Sequence, residues 1–267
     1  MDWTRPLVLR AAESESRAVL LVHGFTGSPY ELHLLAQHLH RLGYHCAVPL
    51  LAGHHRSLAE LATTRWTDWL ASAEGALHEL WNLVAASAAT PRLAVVGLSM
   101  GGLLTLELGR RYPADGPGDG PRISAISTLA TPIFLSRRAT RAIRLFRRTP
   151  GLRRLSVPKL FGADVRERNL PRPPLRPRGM PITCLDSLLD LMADLRPQLG
   201  QVRQPALICH GQRDHTAPYG SMAEIAAGLG ASEVRCVALP RSYHLLPLDV
   251  ERELVFAEVA RHLERHL

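Results

Sequence analysis

The chain alternates short apolar runs with longer stretches in which apolar residues recur at helical spacing. Ala18-Val19-Leu20-Leu21-Val22 is short, partly β-branched and ends at His23-Gly24, so it predicts a buried strand followed by a turn. Pro29 to Leu42 sets Leu32, Leu35, Ala36, Leu39 and Leu42 on one helical face, closed by Gly43. Tyr44 to Leu50 predicts another strand. From Trp66 to Ala86, the residues Trp66, Trp69, Leu70, Ala73, Leu77, Leu80, Trp81 and Val84 form one stripe, the mark of a long amphipathic helix. Next come a strand at Leu93–Val96, a helix from Met100 to Tyr112 stopped by Pro113, and a strand from Ile123 to Ala130. Between the last two, Ala114 to Pro121 is mostly Gly, Pro and Asp and can only be a loop. Beyond residue 181 the pattern predicts a helix at Ile182–Leu195, a strand at Pro205–Cys209, a helix at Tyr219–Leu229, a strand at Val234–Leu239 and a helix at Leu248–Leu267.

Strands that alternate with helices of ten or more residues imply crossover connections, hence a parallel sheet covered on both faces. The expected fold class is therefore α/β, with a mostly parallel sheet of about six to seven strands flanked by helices. At 267 residues and 46% apolar content the chain can bury its core as one large domain. No run approaches the roughly 20 apolar residues that a membrane-spanning helix needs. Met1-Asp2-Trp3-Thr4-Arg5-Pro6 lacks the basic-then-apolar order of a secretion signal, so the expected location is cytoplasmic.

In such sheets reactive groups gather beyond the carboxyl ends of the strands. Four strand ends carry suggestive residues: His23-Gly24-Phe25, Gly97-Leu98-Ser99-Met100-Gly101, Arg213-Asp214 and Ser242-Tyr243-His244. Gly97-x-Ser99-x-Gly101 is the nucleophile-elbow pattern, and the strand before it and helix after it give the match its weight. The turn pushes the serine hydroxyl outward, and side chains at Gly97 or Gly101 would collide with neighbouring backbone. A serine hydroxyl needs a base to take its proton during attack. His244 is the candidate base and Asp214 the candidate acid, in the chain order Ser, Asp, His. His23, His210 and His215 compete; His23 and His210 lack the right place in that order, and His215 adjoins the acid and would face the wrong way if Asp214 faces inward, so each reads as a structural or surface histidine. The oxyanion hole would use the N–H of Met100 at the helix start and that of Phe25 in the loop His23-Gly24-Phe25-Thr26-Gly27.

With these residues in place the chain resembles bacterial carboxylesterases related to monoacylglycerol lipases, a branch of the α/β-hydrolase superfamily. The likeness rests on His-Gly-Phe-Thr-Gly at 23–27, Gly-Leu-Ser-Met-Gly-Gly at 97–102, Asp214, His244 followed by Leu248-Asp249, and Trp66-Thr67-Asp68-Trp69. It covers about 17–130 and 182–267. The chain departs from the family pattern at Gly53-His54-His55-Arg56 and at Tyr243. The resemblance implies an α/β-hydrolase core over 1–130 and 182–267, and a small cap inserted over 131–181. It implies hydrolysis of carboxylic esters, monoacylglycerols among the candidates, with no metal or organic cofactor. The insertion is too short to build a large lipase lid, so small to medium-chain esters are the expected substrates. The same scaffold also hosts thioesterases, acyltransferases, carbon–carbon bond hydrolases and non-catalytic binding proteins. An intact Ser99, Asp214 and His244 argues against the last.

Charge changes the picture in one place. The formal net charge is +8, yet residues 137–178 hold thirteen arginines and Lys159 against only Asp164 and Glu167, which leaves the rest of the chain net acidic. Arg137 to Arg148 reads as an amphipathic helix with Ala139, Ala142, Ile143 and Phe146 on one face. Pro150, Pro158 and the run Pro171 to Pro181 break the remainder into loops and extended pieces. One reading is a surface that meets anionic membrane headgroups or steers acidic substrates. The other is a solvated cap in an arginine-biased chain, and that bias favours it. Nucleic acid is not an expected partner, because the segment has only Phe161 as an aromatic after Phe146 and no nucleic-acid motif.

Cys46, Cys184, Cys209 and Cys236 are scattered without a CxxC pair, and Cys46, Cys209 and Cys236 lie in apolar, strand-like runs that predict buried thiols. No metal site is expected: His262 and His266 share a helix face without a third ligand, and His54 and His55 read as surface or turn residues.

Overall fold

The computed structural model describes residues 4–86, 90–116, 118–149, 151–152, 155–158, 164–167, 169 and 179–267. Seven strands make the main sheet: β1 (Leu7–Leu9), β2 (Arg17–Val22), β3 (His45–Val48), β4 (Arg92–Leu98), β5 (Ile123–Leu129), β8 (Ala206–Gly211) and β9 (Val234–Leu239). Their spatial order is β1-β3-β2-β4-β5-β8-β9, and every pairing is parallel except β1 with β3. Between β5 and β8 in sequence, β6 (Ser156–Pro158) and β7 (Gly179–Pro181) form a separate antiparallel ribbon.

Beyond their first residues β2 and β4 carry no polar side chain, because successive side chains enter different cores. Ala18, Leu20, Val22, Leu93 and Val95 pack with α3 (Trp66–Ala85), α4 (Met100–Arg111) and α6 (Ile182–Leu195). Val19, Leu21, Ala94, Val96 and Leu98 pack with α1 (His33–Arg41) and α8 (Arg252–His266). The remaining helices are α2 (Leu58–Ala62), α5 (Arg137–Arg148) and α7 (Gly220–Gly228). No helix among the described residues is long and apolar enough to cross a membrane.

Several expectations are corrected. The helix read from Pro29 to Leu42 opens as a 3-10 turn at Pro29–Glu31 before α1, and the one read from Leu248 starts at Arg252 after a 3-10 turn at Leu246–Leu248. Strand β1 is too short to show a period. Helix α2 is also short, but Ser57 and Glu60 form a reciprocal capping box, a signal present in the sequence. Cys46, Cys184 and Cys209 are buried, whereas Cys236 is exposed because β9 is an edge strand in which only Leu239 is fully covered. His54 sits in a turn, but its ring is buried against His23, Phe25 and Trp69.

Helix α5 departs furthest. Of the expected apolar face only Ile143 is buried, while Phe146 is 37% exposed and Leu145 62%. The helix packs on α6, where the Arg147 guanidinium donates to the Asp186 carboxylate at 2.5 Å. In the proline-rich stretch, Pro158 and Pro181 end the strands of the ribbon, and Pro150, Lys159, Phe161 and residues 171–178 lie outside the described residues.

Candidate active site

Ser99 lies between the end of β4 and the first residue of α4 with φ +56° and ψ −120°, a conformation that costs a non-glycine residue strain. Its N–H donates to the Leu129 carbonyl at 2.8 Å, which pins the turn to β5. The flanking glycines are explained by what a side chain would strike. A Cβ at Gly97 would overlap the Gly101 carbonyl and the Thr105 hydroxyl, and one at Gly101 would overlap the carbonyls of Val22 and His23. Helix α4 can cross this close to β2 and β4 only with bare backbone at both positions.

The structure brings together the three candidate groups from three strand ends. The Ser99 hydroxyl is 2.9 Å from His244 Nε2, and His244 Nδ1 is 2.8 Å from Asp214 Oδ2. The carboxylate requires a proton on Nδ1, which leaves Nε2 to accept the serine hydroxyl. The side chain of Asp214 is fully buried just beyond the end of β8, and its Oδ1 accepts the N–H groups of Thr216 at 2.8 Å and Ala217 at 2.7 Å. Burial opposes the charge on Asp214, but the His244 imidazole and hydrogen bonds from His210, His244 and Ala217 hold its pKa well below the usual carboxylate range. For His244, burial opposes the proton, but Asp214, by charge and hydrogen bond, outweighs it. The carboxylates of Asp164 and Glu31 add to this, and the imidazole pKa is raised above 6.5.

The candidate oxyanion loop is built from the floor up. His23 is buried, donates from Nδ1 to the Gly24 carbonyl at 2.9 Å and accepts the Leu51 N–H on Nε2 at 3.2 Å. Burial, with His54 nearby, pushes its pKa down to about 3, so it stays neutral. The Glu31 carboxylate accepts the Gly24 N–H at 3.2 Å, and Gly27 closes a turn onto the Gly24 carbonyl at 3.0 Å. Thr26 adopts a positive φ of 59°. The Phe25 ring leans on Trp69, with centroids 5.5 Å apart. Among the described residues no acceptor takes the N–H of Phe25 or of Met100, so both stay available for a ligand oxygen.

The competing histidines are structural. His210 is buried, with Nε2 3.3 Å from both the Ala217 carbonyl and Asp214 Oδ2, so it flanks the acid without reaching Ser99. His215 turns its Nδ1 to Asp164 at 2.9 Å. Sequence reasoning missed Glu31, Asp164 and the polar role of Asp249, whose carboxylate accepts N–H groups from Tyr243, Arg166 and Glu167. For Asp164 one signal existed: one of only two acids among thirteen arginines invites the question of what it holds.

A parallel sheet with a strained serine at an elbow, a histidine against it and a buried aspartate behind defines an α/β hydrolase. Residues 13–251 match the Hydrolase_4 family, described as Serine aminopeptidase, S33, and the chain belongs to that family. It is 30% identical over 255 residues to the thermostable monoacylglycerol lipase of a Bacillus species, covering 96% of this chain and 93% of the relative. It is 26% identical over 251 residues to a carboxylesterase of Bacillus subtilis, covering 93% of each. Among solved structures, one from the metagenome-derived lipolytic enzymes LipS and LipT superposes with a TM-score of 0.85 at 27% identity, covering 99% of this chain and 98% of that one.

Proposed function

We propose that this protein is a serine carboxylesterase that hydrolyses small to medium-chain carboxylic esters, monoacylglycerols included, through an acyl-enzyme. The observation that carries the reading is the unbroken line from the Ser99 hydroxyl through His244 to Asp214. The kinship with a monoacylglycerol lipase and a carboxylesterase supports ester over thioester or acyl-transfer chemistry.

In the first half-reaction Ser99 Oγ attacks the ester carbonyl while His244 Nε2 takes its proton. The carbonyl oxygen gains the negative charge and is stabilised by the N–H groups of Phe25 and Met100. His244 then protonates the departing alcohol oxygen, leaving an ester on Ser99. Water, deprotonated by His244, attacks that ester, and the proton returns to Ser99 as the acid leaves. No step calls for a metal or organic cofactor. Residues 1–130 and 182–267 act as the hydrolase core and 131–181 as a cap. Exposed Leu145 and Phe146 beside exposed arginines of α5 support peripheral contact of that cap with an anionic membrane.

The test is turnover of p-nitrophenyl esters of graded acyl length by the purified protein and by Ser99→Ala. The reading expects turnover on short to medium chains that falls by about a thousand-fold or more in the variant. Equal rates in the two proteins, or none in either, would move the chain to the non-catalytic class.

A further inference from the structure

We propose that Asp164 is a positioning residue for the catalytic site, tying the loop that carries Asp214 to the loop that carries His244. The inference rests on the esterase reading above, since it concerns the same two groups. Asp164 belongs to neither loop; it comes from the basic segment between β5 and α6 and is buried.

Its carboxylate holds the acid loop. Oδ2 accepts the His215 N–H at 3.0 Å and the Thr216 hydroxyl at 2.9 Å, and Oδ1 faces His215 Nδ1 at 2.9 Å. Thr216 is the link to the reacting groups, because its own N–H donates to Asp214 Oδ1. The main chain of Asp164 holds the base loop. Its carbonyl accepts the N–H of His244 at 3.1 Å and of Leu245 at 3.0 Å. Just beyond, the N–H groups of Arg166 and Glu167 share the Asp249 carboxylate with the N–H of Tyr243, the residue before His244.

The geometry explains why such a tie is needed. Asp214 follows β8 and His244 follows β9, so the 2.8 Å bond between them joins two separate loops. A carboxylate that drifts by an ångström no longer fixes the imidazole, and misplacement of that size costs rate steeply. The Asp164 carboxylate also sets a negative charge near the imidazole, alongside Asp214 and Glu31, the other two acids that act on it.

The experiment compares wild type with Asp164→Asn, Asp164→Ala and Thr216→Val. Asp164→Asn keeps the carbonyl that serves His244 and Leu245 but removes the charge. Expected is a kcat lower by about ten- to a hundred-fold, with KM within about two-fold, because Asp164 is buried and its carboxylate is bonded to His215 and Thr216. Its acid limb in the pH–rate profile should move to lower pH, since one of the three acids favouring the imidazolium is gone. Thr216→Val should lose less rate in the same direction and leave the acid limb nearer to that of wild type. Should Asp164→Asn or Asp164→Ala fail to fold, Thr216→Val alone carries the kinetic test.

A second readout does not depend on turnover: the downfield proton resonance of the His244 Nδ1–H should shift or broaden in Asp164→Asn. Variants with wild-type kcat, acid limb and resonance overturn the inference. Loss of kcat only in step with the thermal midpoint, with the acid limb unmoved, reduces Asp164 to a fold-stabilising residue and also overturns it. If wild type shows no Ser99-dependent turnover the esterase reading fails separately, and the resonance still decides the tie.

Discussion

At the scale of single residues, the imidazole of His244 is under two opposed influences. Burial disfavours its charge, but the Asp214 carboxylate at 2.8 Å, with Asp164 and Glu31 further off, favours it more. Only the neutral imidazole can take the serine proton, so a raised pKa moves the loss of activity to higher pH. The sequence alone suggests an acid limb at about pH 6–7, the range of an ordinary histidine base. With the carboxylates in view, kcat/KM should begin to fall on acidification from a midpoint above 6.5. A profile still flat down to pH 6 would contradict the arrangement. The same residues mark how far the site was legible. Ser99 announces itself through its two glycines, and His244 and Asp214 through chain order, whereas Asp164 acquires its meaning only from the two loops that fold onto it.

At the scale of elements, α3 and α5 behave oppositely. Helix α3 has a continuous apolar stripe, and its Trp69 is fully buried, donates its indole N–H to the Thr64 hydroxyl at 2.9 Å and supports Phe25. Trp69→Ala should cost about 3–5 kcal/mol of stability, measurable by urea unfolding, and should slow ester turnover by loosening the oxyanion loop. Trp69→Phe should retain most of the stability. A loss below about 1 kcal/mol for the alanine variant would mean that the helix repacks without it. Helix α5, by contrast, leaves Leu145 and Phe146 in solvent among arginines, buries only Ile143 and is bonded to α6 by Arg147. Replacing Arg137, Arg138, Arg141 and Arg148 with glutamine should weaken sedimentation with anionic vesicles more than about ten-fold at low salt. Zwitterionic vesicles and high salt should abolish the difference. If wild type stays in the supernatant with anionic vesicles at low salt, the membrane contact is disproved. Arg147 is left in place because it covers Asp186.

At the scale of the whole molecule, buried neutral imidazoles couple folding to pH. Burial pushes His23 down to about 3 and His262 to about 4, while an unfolded chain protonates both near 6.5. Between those values the unfolded state binds more protons, so stability falls as pH falls, by up to about 1.4 kcal/mol per pH unit for each group. His244 works in the other direction: its raised pKa adds stability that is complete below 6.5 and is lost as pH rises through the folded value. Urea midpoints should therefore decline from pH 6.5 towards pH 4.5, and His262→Gln should flatten that decline. An unchanged slope in the variant would assign the acid sensitivity to other groups.

Local pattern determined the order of the six parallel strands and of every helix but α2, and with them the parallel sheet and the elbow, because apolar runs and a period of 3.6 depend only on neighbours along the chain. Strand β1 and the β6–β7 ribbon were too short to show a pattern. The same pattern identified which strand ends carry reactive side chains. It could not tell that Cys236 lies on an edge, that His54 is buried under Trp69, that α5 keeps most of its apolar face in water, or that an acid from the arginine-rich segment joins two loops. Those outcomes depend on which surfaces meet when residues far apart in sequence come together, and only the packed chain decides that.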